Sequence, residues 1–407
     1  MNANEIWIFV DETDSPFVRE EIVFYAQQYS AVRLFSRKPL NLKGLEAHVQ
    51  EASIVPHQRG PLSDLLQPRL WAWWLKDLFS KGSSFAYLRR ARYNLSYLMR
   101  CAGAANVLEK RLQACGSQRP VLLSYWFADW ALTLSWLKAK GAIRAFYSRA
   151  HGRDVFEDRE PKTGKLPYRN QQLASAERVF TVSQAGCSYL QEKYPRFAGK
   201  IELQYLGTRD HGTGAFDPEA GPTLLTCARV RNVKRIYLMP QILAHMQTPV
   251  RWVHIGDENL QAVNDPTMPL YKAGKEALRE MPQAEAVFTG ALDNAALFDF
   301  YRNNSVNQFL NLSSTEGLPF VLIEAISMGI PVLATDVGGC REIAHAETGL
   351  LVEADPDPRE LAAKVDAFLQ SDQNTAHFRA GVRRYWENHF RLEDNLLKFV
   401  QTAKQTA

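Results

Sequence analysis

Short apolar runs alternate with longer stretches of helical period from one end of the chain to the other. The runs Ile6–Val10, Val32–Ser36, Val121–Tyr125, Ala145–Ser148 and Arg178–Val182 read as buried strands. Between them, Phe17–Tyr29, Ala128–Ala139 and Ala185–Tyr194 carry the spacing of helices. The scheme repeats in the second half. Strands are expected there at Leu224–Ala228, Trp252–Ile255, Val287–Thr289, Gln308–Asn311, Val332–Ala334 and Leu350–Val352. Strands alternating with helices predict an α/β chain with parallel sheets. Two such sets predict two Rossmann-like, doubly wound domains, with a ligand cleft at the carboxyl ends of their strands.

The stretch from Arg209 to Pro222 is rich in glycine, proline and charge and reads as a linker. This predicts a first domain over 1–208, a linker over 209–222 and a second domain over 223–376. Residues 377–407 look helical with no strand after them, and are expected to cross back to the first domain. One segment breaks the rhythm. Residues 64–112 look wholly helical, aromatic and basic. Trp71, Trp74, Leu75, Leu78 and Phe79 fall on one helical face, whereas Trp73 points elsewhere. Tyr87, Tyr93 and Tyr97 lie among Arg89, Arg90, Arg92 and Arg100. Trp and Arg together suit a membrane interface; the alternative is that the Trp face is domain core.

Composition narrows the class. The chain has 407 residues, 46% apolar and 23% charged, the profile of a globular protein rather than a disordered one. No apolar run reaches the roughly 18 residues that cross a bilayer. The start has neither a basic region nor a long apolar stretch, so no signal peptide is read and a cytoplasmic location is expected. Five scattered cysteines without a Cys-x-x-Cys pair support neither a disulfide framework nor a cysteine zinc site. The net charge of +4 hides a basic first half and an acidic second half. The basic half could face nucleic acid, an anionic membrane or a phosphorylated substrate. No nucleic-acid motif accompanies it, so no nucleic-acid partner is expected.

The richest chemistry lies in Asn311-Leu312-Ser313-Ser314-Thr315-Glu316-Gly317-Leu318-Pro319-Phe320-Val321-Leu322-Ile323-Glu324-Ala325. A strand ends near Asn311, a glycine-bearing turn follows, and a helix starts near Pro319, a residue favoured at the first helical position. The free N–H groups of such a turn, with the helix dipole, attract an anion. Glu316 and Glu324 stand on either side of it. Carboxylates accept paired hydrogen bonds from sugar hydroxyls, so phosphate and sugar recognition meet here. Two glutamates at this spacing can equally belong to a solvated helix face.

Glu316 to Glu324 has the Glu-x7-Glu arrangement of retaining glycosyltransferases of the GT-B fold. The continuation Met328-Gly329-Ile330-Pro331-Val332-Leu333-Ala334-Thr335-Asp336-Val337-Gly338-Gly339-Cys340-Arg341-Glu342-Ile343, with Thr348-Gly349-Leu350-Leu351-Val352, resembles glycosyltransferase family 4. The resemblance is dense over 224–370, moderate over 119–208 and weak before 119. It implies that 223–376 binds a nucleotide sugar and that 1–208 is the acceptor side. Donor contacts are then expected from Gly317, Leu318, Phe320, Val321 and Glu324. In Cys227-Ala228-Arg229-Val230-Arg231-Asn232-Val233-Lys234, the family's diphosphate-holding Arg and Lys fall on Arg229 and Lys234. Two cations there would neutralise charge developing on the leaving diphosphate. The family usually has Gly after the Lys; this chain has Arg235.

Tyr147-Ser148-Arg149-Ala150-His151-Gly152-Arg153-Asp154 resembles the Arg-Ala-His-Gly-x-Asp stretch of exopolysaccharide-type members. The resemblance implies that His151 meets the donor sugar near the reaction centre. Phe17-Val18-x-x-Glu21-Ile22 also resembles their opening helix, but the usual Gly-Gly pair after the first strand is missing. No acceptor phosphate is placed there. Glu316, His151, Arg229 and Lys234 are thus the expected catalytic group. A metal-independent hexosyltransferase is implied, without cofactor and with a nucleoside-diphosphate sugar as donor. The acceptor would be a glycan or a polyprenyl-diphosphate-linked saccharide at the inner face of the cytoplasmic membrane, for surface polysaccharide synthesis. No Asp-x-Asp metal motif is present. The alternative is a non-catalytic carbohydrate-binding GT-B scaffold. A dehydrogenase is excluded, because Gly212 and Gly214 have no helix behind them.

Overall fold

The computed structural model describes residues 5–58, 66–80, 84–115, 119–159, 165–257 and 267–406. The chain divides into two compact units, one of residues 1–205 with 392–407, the other of 206–391.

The first unit holds strands β1 (Glu5–Phe9), β2 (Ala31–Ser36), β3 (Glu51–Ile54), β4 (Val121–Ser124), β5 (Tyr147–Ala150), β6 (Arg178–Thr181) and β7 (Ile201–Leu203). They form one sheet in the order β3-β2-β1-β4-β5-β6-β7, every pair parallel. Buried on both faces, such strands are apolar throughout. Trp7, Phe9 and Leu122 pack on one face; Ile6, Ile8, Val10 and Leu123 pack on the other. The two edge strands lacked an apolar run to betray them. Glu51 of β3, for instance, pairs with Arg33 and Arg111. Helix Leu392–Thr406 belongs here, with Leu396, Phe399 and Val400 buried against Tyr25, Tyr147 and Phe180.

The second unit holds β8 (Thr223–Cys227), β9 (Val250–Ile255), β10 (Ala284–Gly290), β11 (Gln308–Asn311), β12 (Val332–Thr335) and β13 (Gly349–Val352). Their order is β10-β9-β8-β11-β12-β13, again all parallel. The glycine- and proline-rich stretch 209–222 is tied into this unit rather than strung free. Gly214 N donates to Met328 O at 2.8 Å, Ala215 N donates to Tyr301 O at 2.9 Å, and Arg383 pairs with Asp210 at 2.6 Å.

The structure divides the helical face that the pattern picks out between core and solvent. In helix Pro68–Leu78, Leu70, Asp77 and Leu78 are buried. Trp71, Leu75 and Phe79 point to solvent, whereas Trp74 and Trp73 pack half-buried against the core, Trp73 edge-on to Trp136 at 5.2 Å. The buried Asp77 fixes this orientation. It accepts from Tyr87 Oη and from Tyr168 N, and Lys165 stands 4.0 Å away. Residues 64, 65 and 81–83 of the segment lie outside the described residues.

Candidate active site

In the second unit, the expected site residues sit at the carboxyl ends of β8 and β11, where open parallel sheets bind ligands. The turn Asn232–Lys234 after β8 meets the turn after β11 through Ser314 N to Val233 O at 2.8 Å. That join delivers Lys234 Nζ to Glu316 Oε1 at 2.6 Å. The same carboxylate oxygen receives Asn311 Nδ2 at 3.3 Å, and Ser313 Oγ lies 2.6 Å from it. Asn311 and Ser313 therefore aim Glu316, a role the motif alone did not reveal.

Arg235, the departure from the family pattern, takes a left-handed φ of 48° that normally favours glycine. Its side chain is buried and donates to the carbonyls of Leu312, Ser313 and Ala354 and to Asp355. The guanidinium bolts the β8 turn to the β11 turn, and these bonds offset the backbone cost of about 1–2 kcal/mol. Arg229 is exposed and has no hydrogen-bond or ion-pair partner among the described residues.

The helix after the turn runs Phe320–Ser327, with Pro319 at its N-cap rather than inside its first turn as the sequence suggested. Residues 322–327 are all buried, so Glu324 lies on no solvated face. Only 4% of Glu324 is exposed, and its Oε1 accepts from Asn294 Nδ2 at 2.6 Å. Asn294 opens helix Asn294–Asn303 behind the Asp293 cap. No sequence motif marks it, because it lies 30 residues upstream in a different βα unit. Gly317 and Leu318 are packed against the turn after β12. Gly339 N donates to Gly317 O at 2.7 Å, and a Cβ on Gly338 would sit 2.1 Å from Glu316 O. The Gly338-Gly339 pair is thus what lets two loops lie flat on each other. Phe320 and Val321 open the helix, at the positive end of its dipole.

His151 belongs to the first unit, directly after β5. Its ring lies between Phe17, Tyr125 and Trp126, at 5.8, 5.5 and 5.9 Å. Both ring nitrogens are shut from solvent with no hydrogen-bond partner among the described residues. Burial, then the charge of Arg149, pushes its pKa down to about 3. The imidazole is therefore neutral at neutral pH, with one donor and one acceptor to offer a hydroxyl. Asp154 accepts from His151 N at 2.7 Å and from Phe127 N, so it holds backbone rather than the ring. Burial raises its pKa to about 6.

A cavity of about 730 Å³ opens in the first unit at the carboxyl ends of β1, β2, β4 and β5. Trp126, Trp130, Tyr93 and Tyr97 line it together with Lys38, Arg90 and Arg153. Arg37 is clamped there between Asp11 and Asp129. The sequence could not show this cavity, because its walls come from six separate stretches. No three metal-ligating side chains converge among the described residues.

Residues 221–371 match the family described as glycosyl transferases group 1. The O-antigen biosynthesis glycosyltransferase WbnH of Escherichia coli is 28% identical over 154 residues, 37% of this chain and 38% of that protein. A GDP-mannose-dependent alpha-mannosyltransferase of Mycolicibacterium smegmatis is 41% identical over 81 residues, 20% of this chain and 21% of that one. The match thus spans about two fifths or less of the length of these curated relatives. Among solved structures, Anabaena Alr3699/HepE in complex with UDP superposes with a TM-score of 0.70 at 14% identity. That alignment covers 98% of this chain and 100% of the other. The lipopolysaccharide outer core galactosyltransferase WaaB gives 0.66 at 14% identity, over 98% and 99%. With two parallel Rossmann-like sheets and full-length superposition on these structures, the chain has the GT-B fold, and its residues 221–371 are similar to the group 1 glycosyltransferases.

Proposed function

We propose that the protein is a retaining, metal-independent glycosyltransferase. It moves a hexose from a nucleoside-diphosphate sugar to a hydroxyl of a glycan or a polyprenyl-diphosphate-linked saccharide, in surface polysaccharide synthesis at the inner face of the membrane. The observation that carries this reading is the Lys234–Glu316 pair, held at 2.6 Å where β8 and β11 end. A cation and a carboxylate so placed are complementary to a diphosphate next to a sugar ring. Lys234 and Arg229 would take the diphosphate charge as it grows on departure. Glu316 would accept from the transferred sugar's hydroxyls and Glu324 from the ribose. The helix amides after Gly317 and Leu318, at Phe320 and Val321, add the dipole of the helix N-terminus. The neutral His151 would bind a donor-sugar hydroxyl rather than carry a proton. In a front-face reaction the leaving phosphate itself takes the acceptor's proton.

The relatives support the polysaccharide setting, since two are named for O-antigen and one for teichuronic acid biosynthesis. The complex of Alr3699/HepE with UDP-glucose makes a uridine-diphosphate sugar the first donor to try. The test is a panel of nucleotide sugars scored for hydrolysis and for thermal stabilisation, with and without EDTA. One donor should be hydrolysed with activity intact in EDTA, and the product should keep the donor's anomeric configuration. An inverted product overturns the retaining assignment. Binding without turnover in any acceptor mixture overturns the enzymatic one.

A further inference from the structure

The helix Pro68–Leu78 has two apolar sides, and only one of them is used by the fold. Leu70 and Leu78 enter the core. Trp71, Leu75 and Phe79 recur every fourth residue along the opposite side and are 38%, 45% and 74% exposed. Leu66 just before the helix is 83% exposed, and Phe85 just after it is 69% exposed. Five large apolar side chains within twenty residues of sequence thus face water, which a monomer rarely tolerates without a use.

The charges on the same segment have one sign. Arg69, Lys76, Arg89 and Arg92 are exposed, and Arg90 is half-buried over the Tyr93 ring. The acidic residue among the described positions 66–93, Asp77, is buried and spent on Tyr87 and Tyr168. A second copy of this chain is a poor occupant, because a self-contact would bring cation against cation. A surface that is apolar at short depth and anionic above it satisfies both features at once. Trp and Phe enter the headgroup–acyl boundary while Lys and Arg stay with the headgroups.

We infer that the outward side of Leu66–Phe79, with Phe85, Arg89 and Arg92, is a docking surface for an anionic lipid bilayer. This deepens the proposed reading of a membrane-side acceptor, and it supplies the geometry that reading lacks. Arg90 and Tyr93 stand on the same helical segment and line the 730 Å³ cavity, so a lipid-borne saccharide would meet that cavity next to the bilayer. Attachment should be reversible and salt-sensitive, each exposed cation contributing roughly fivefold to partitioning.

The test is flotation of the full chain with phosphatidylcholine vesicles, with and without phosphatidylglycerol, at low and high salt. The chain should float with the anionic vesicles at low salt and sediment at high salt. Trp71→Ser/Leu75→Ser/Phe79→Ser and, separately, Arg89→Glu/Arg92→Glu should each weaken flotation at least tenfold. Because all five side chains are exposed, thermal melts of the variants should match the wild type. Nucleotide-sugar hydrolysis in lipid-free solution should also be unchanged, which separates this surface from the donor chemistry. No flotation of the wild type on anionic vesicles, or flotation indifferent to both variants, overturns the inference. So does a change in lipid-free sedimentation with the triple variant, which would mark a protein–protein contact instead.

Discussion

Three polar groups converge on one oxygen of Glu316, Oε1. Lys234 and Asn311 donate to it, with Ser313 at the same oxygen. In the proposed reaction a diphosphate would draw Lys234 away and leave the carboxylate for the sugar. Losing one charge-assisted bond costs about 1.5–3 kcal/mol, roughly 10- to 150-fold. Glu324→Ala should weaken nucleoside-diphosphate binding by that factor in calorimetry. Glu316→Ala should lower turnover by a similar factor and change nucleotide affinity less. If neither variant loses tenfold, the site is misassigned. Histidines set a second residue-scale expectation. Burial drives the His57 pKa down to about 4, and that of His151 to about 3. An unfolded histidine titrates near 6.5, so between pH 6.5 and 4 the unfolded chain takes up protons that the folded chain refuses. Each histidine then removes about 3 kcal/mol of stability by pH 4. Asp154 works the other way: its raised folded pKa stabilises the fold at low pH and that contribution is lost as pH rises through about 6. His57 sits edge-on to Trp130 at 4.4 Å, a contact phenylalanine can keep. His57→Phe should therefore spare about 3 kcal/mol of the stability lost between pH 7 and pH 4, read by urea melts at both values. An unchanged pH dependence would show that His57 charges freely in the folded state.

At the scale of elements, the parts that come together in the second unit are turns, and glycine and arginine decide how they meet. Gly338 has a φ of 56°, and an added Cβ would meet Glu316 O at 2.1 Å. Gly338→Ala must move the Glu316 turn. It should cut transfer at least tenfold while leaving the strands intact, which the far-ultraviolet circular dichroism would show. Arg235→Gly would relieve the left-handed backbone yet lose bonds to three carbonyls and Asp355. The carbonyl bonds are worth more than the strain, since hydrogen bonds to a charged group contribute about 1.5–3 kcal/mol each. Arg235→Gly should therefore lower the melting temperature, and a rise would show that the backbone strain dominates. This element logic explains what was legible. The central strands announce themselves because both faces are buried, as in Gln308–Asn311, found to the residue. The edge strands β3 and β7 are half wet and left no apolar run. Helix Pro68–Leu78 is apolar on both sides, so its pattern leaves the membrane and core readings both open, and the buried Asp77 that orients it looks like any surface acid in the sequence.

For the whole molecule, the order of the chain and the order of the packing differ. The last helix, Leu392–Thr406, is the terminal element in sequence but lies in the core of the unit that the N-terminus begins. The sequence suggested such a return only by elimination, from helices with no strand to follow. It could not show that the crossing falls between His389 and Leu392, with helix Ala376–His389 remaining in the second unit. What fixes the crossing is apolar detail. Leu392, Leu396, Phe399, Val400 and Ala403 are all buried, and Phe399 meets Tyr25, Tyr147 and Phe180 edge-on at 5.7, 5.5 and 5.6 Å. Gln204 Nε2 adds a bond to Asn395 O at 2.9 Å and links the helix to the buried Arg149. Arg149 in turn pairs with the buried Glu21 at 3.3 Å, two residues before His151. Losing the helix would open that buried ion pair to water and strip one face of the sheet. Phe399→Ala should cost about 3–5 kcal/mol, as for other large-to-small changes at buried aromatics. That is a sizeable part of the 5–15 kcal/mol that typically holds a domain folded. Truncation after Arg391 should therefore melt the first unit at ordinary temperature while the second stays folded. Limited proteolysis reads this directly. Protection of a fragment covering 206–391, with rapid loss of 1–205, is the expected result; equal resistance of both would show that the helix only decorates the surface.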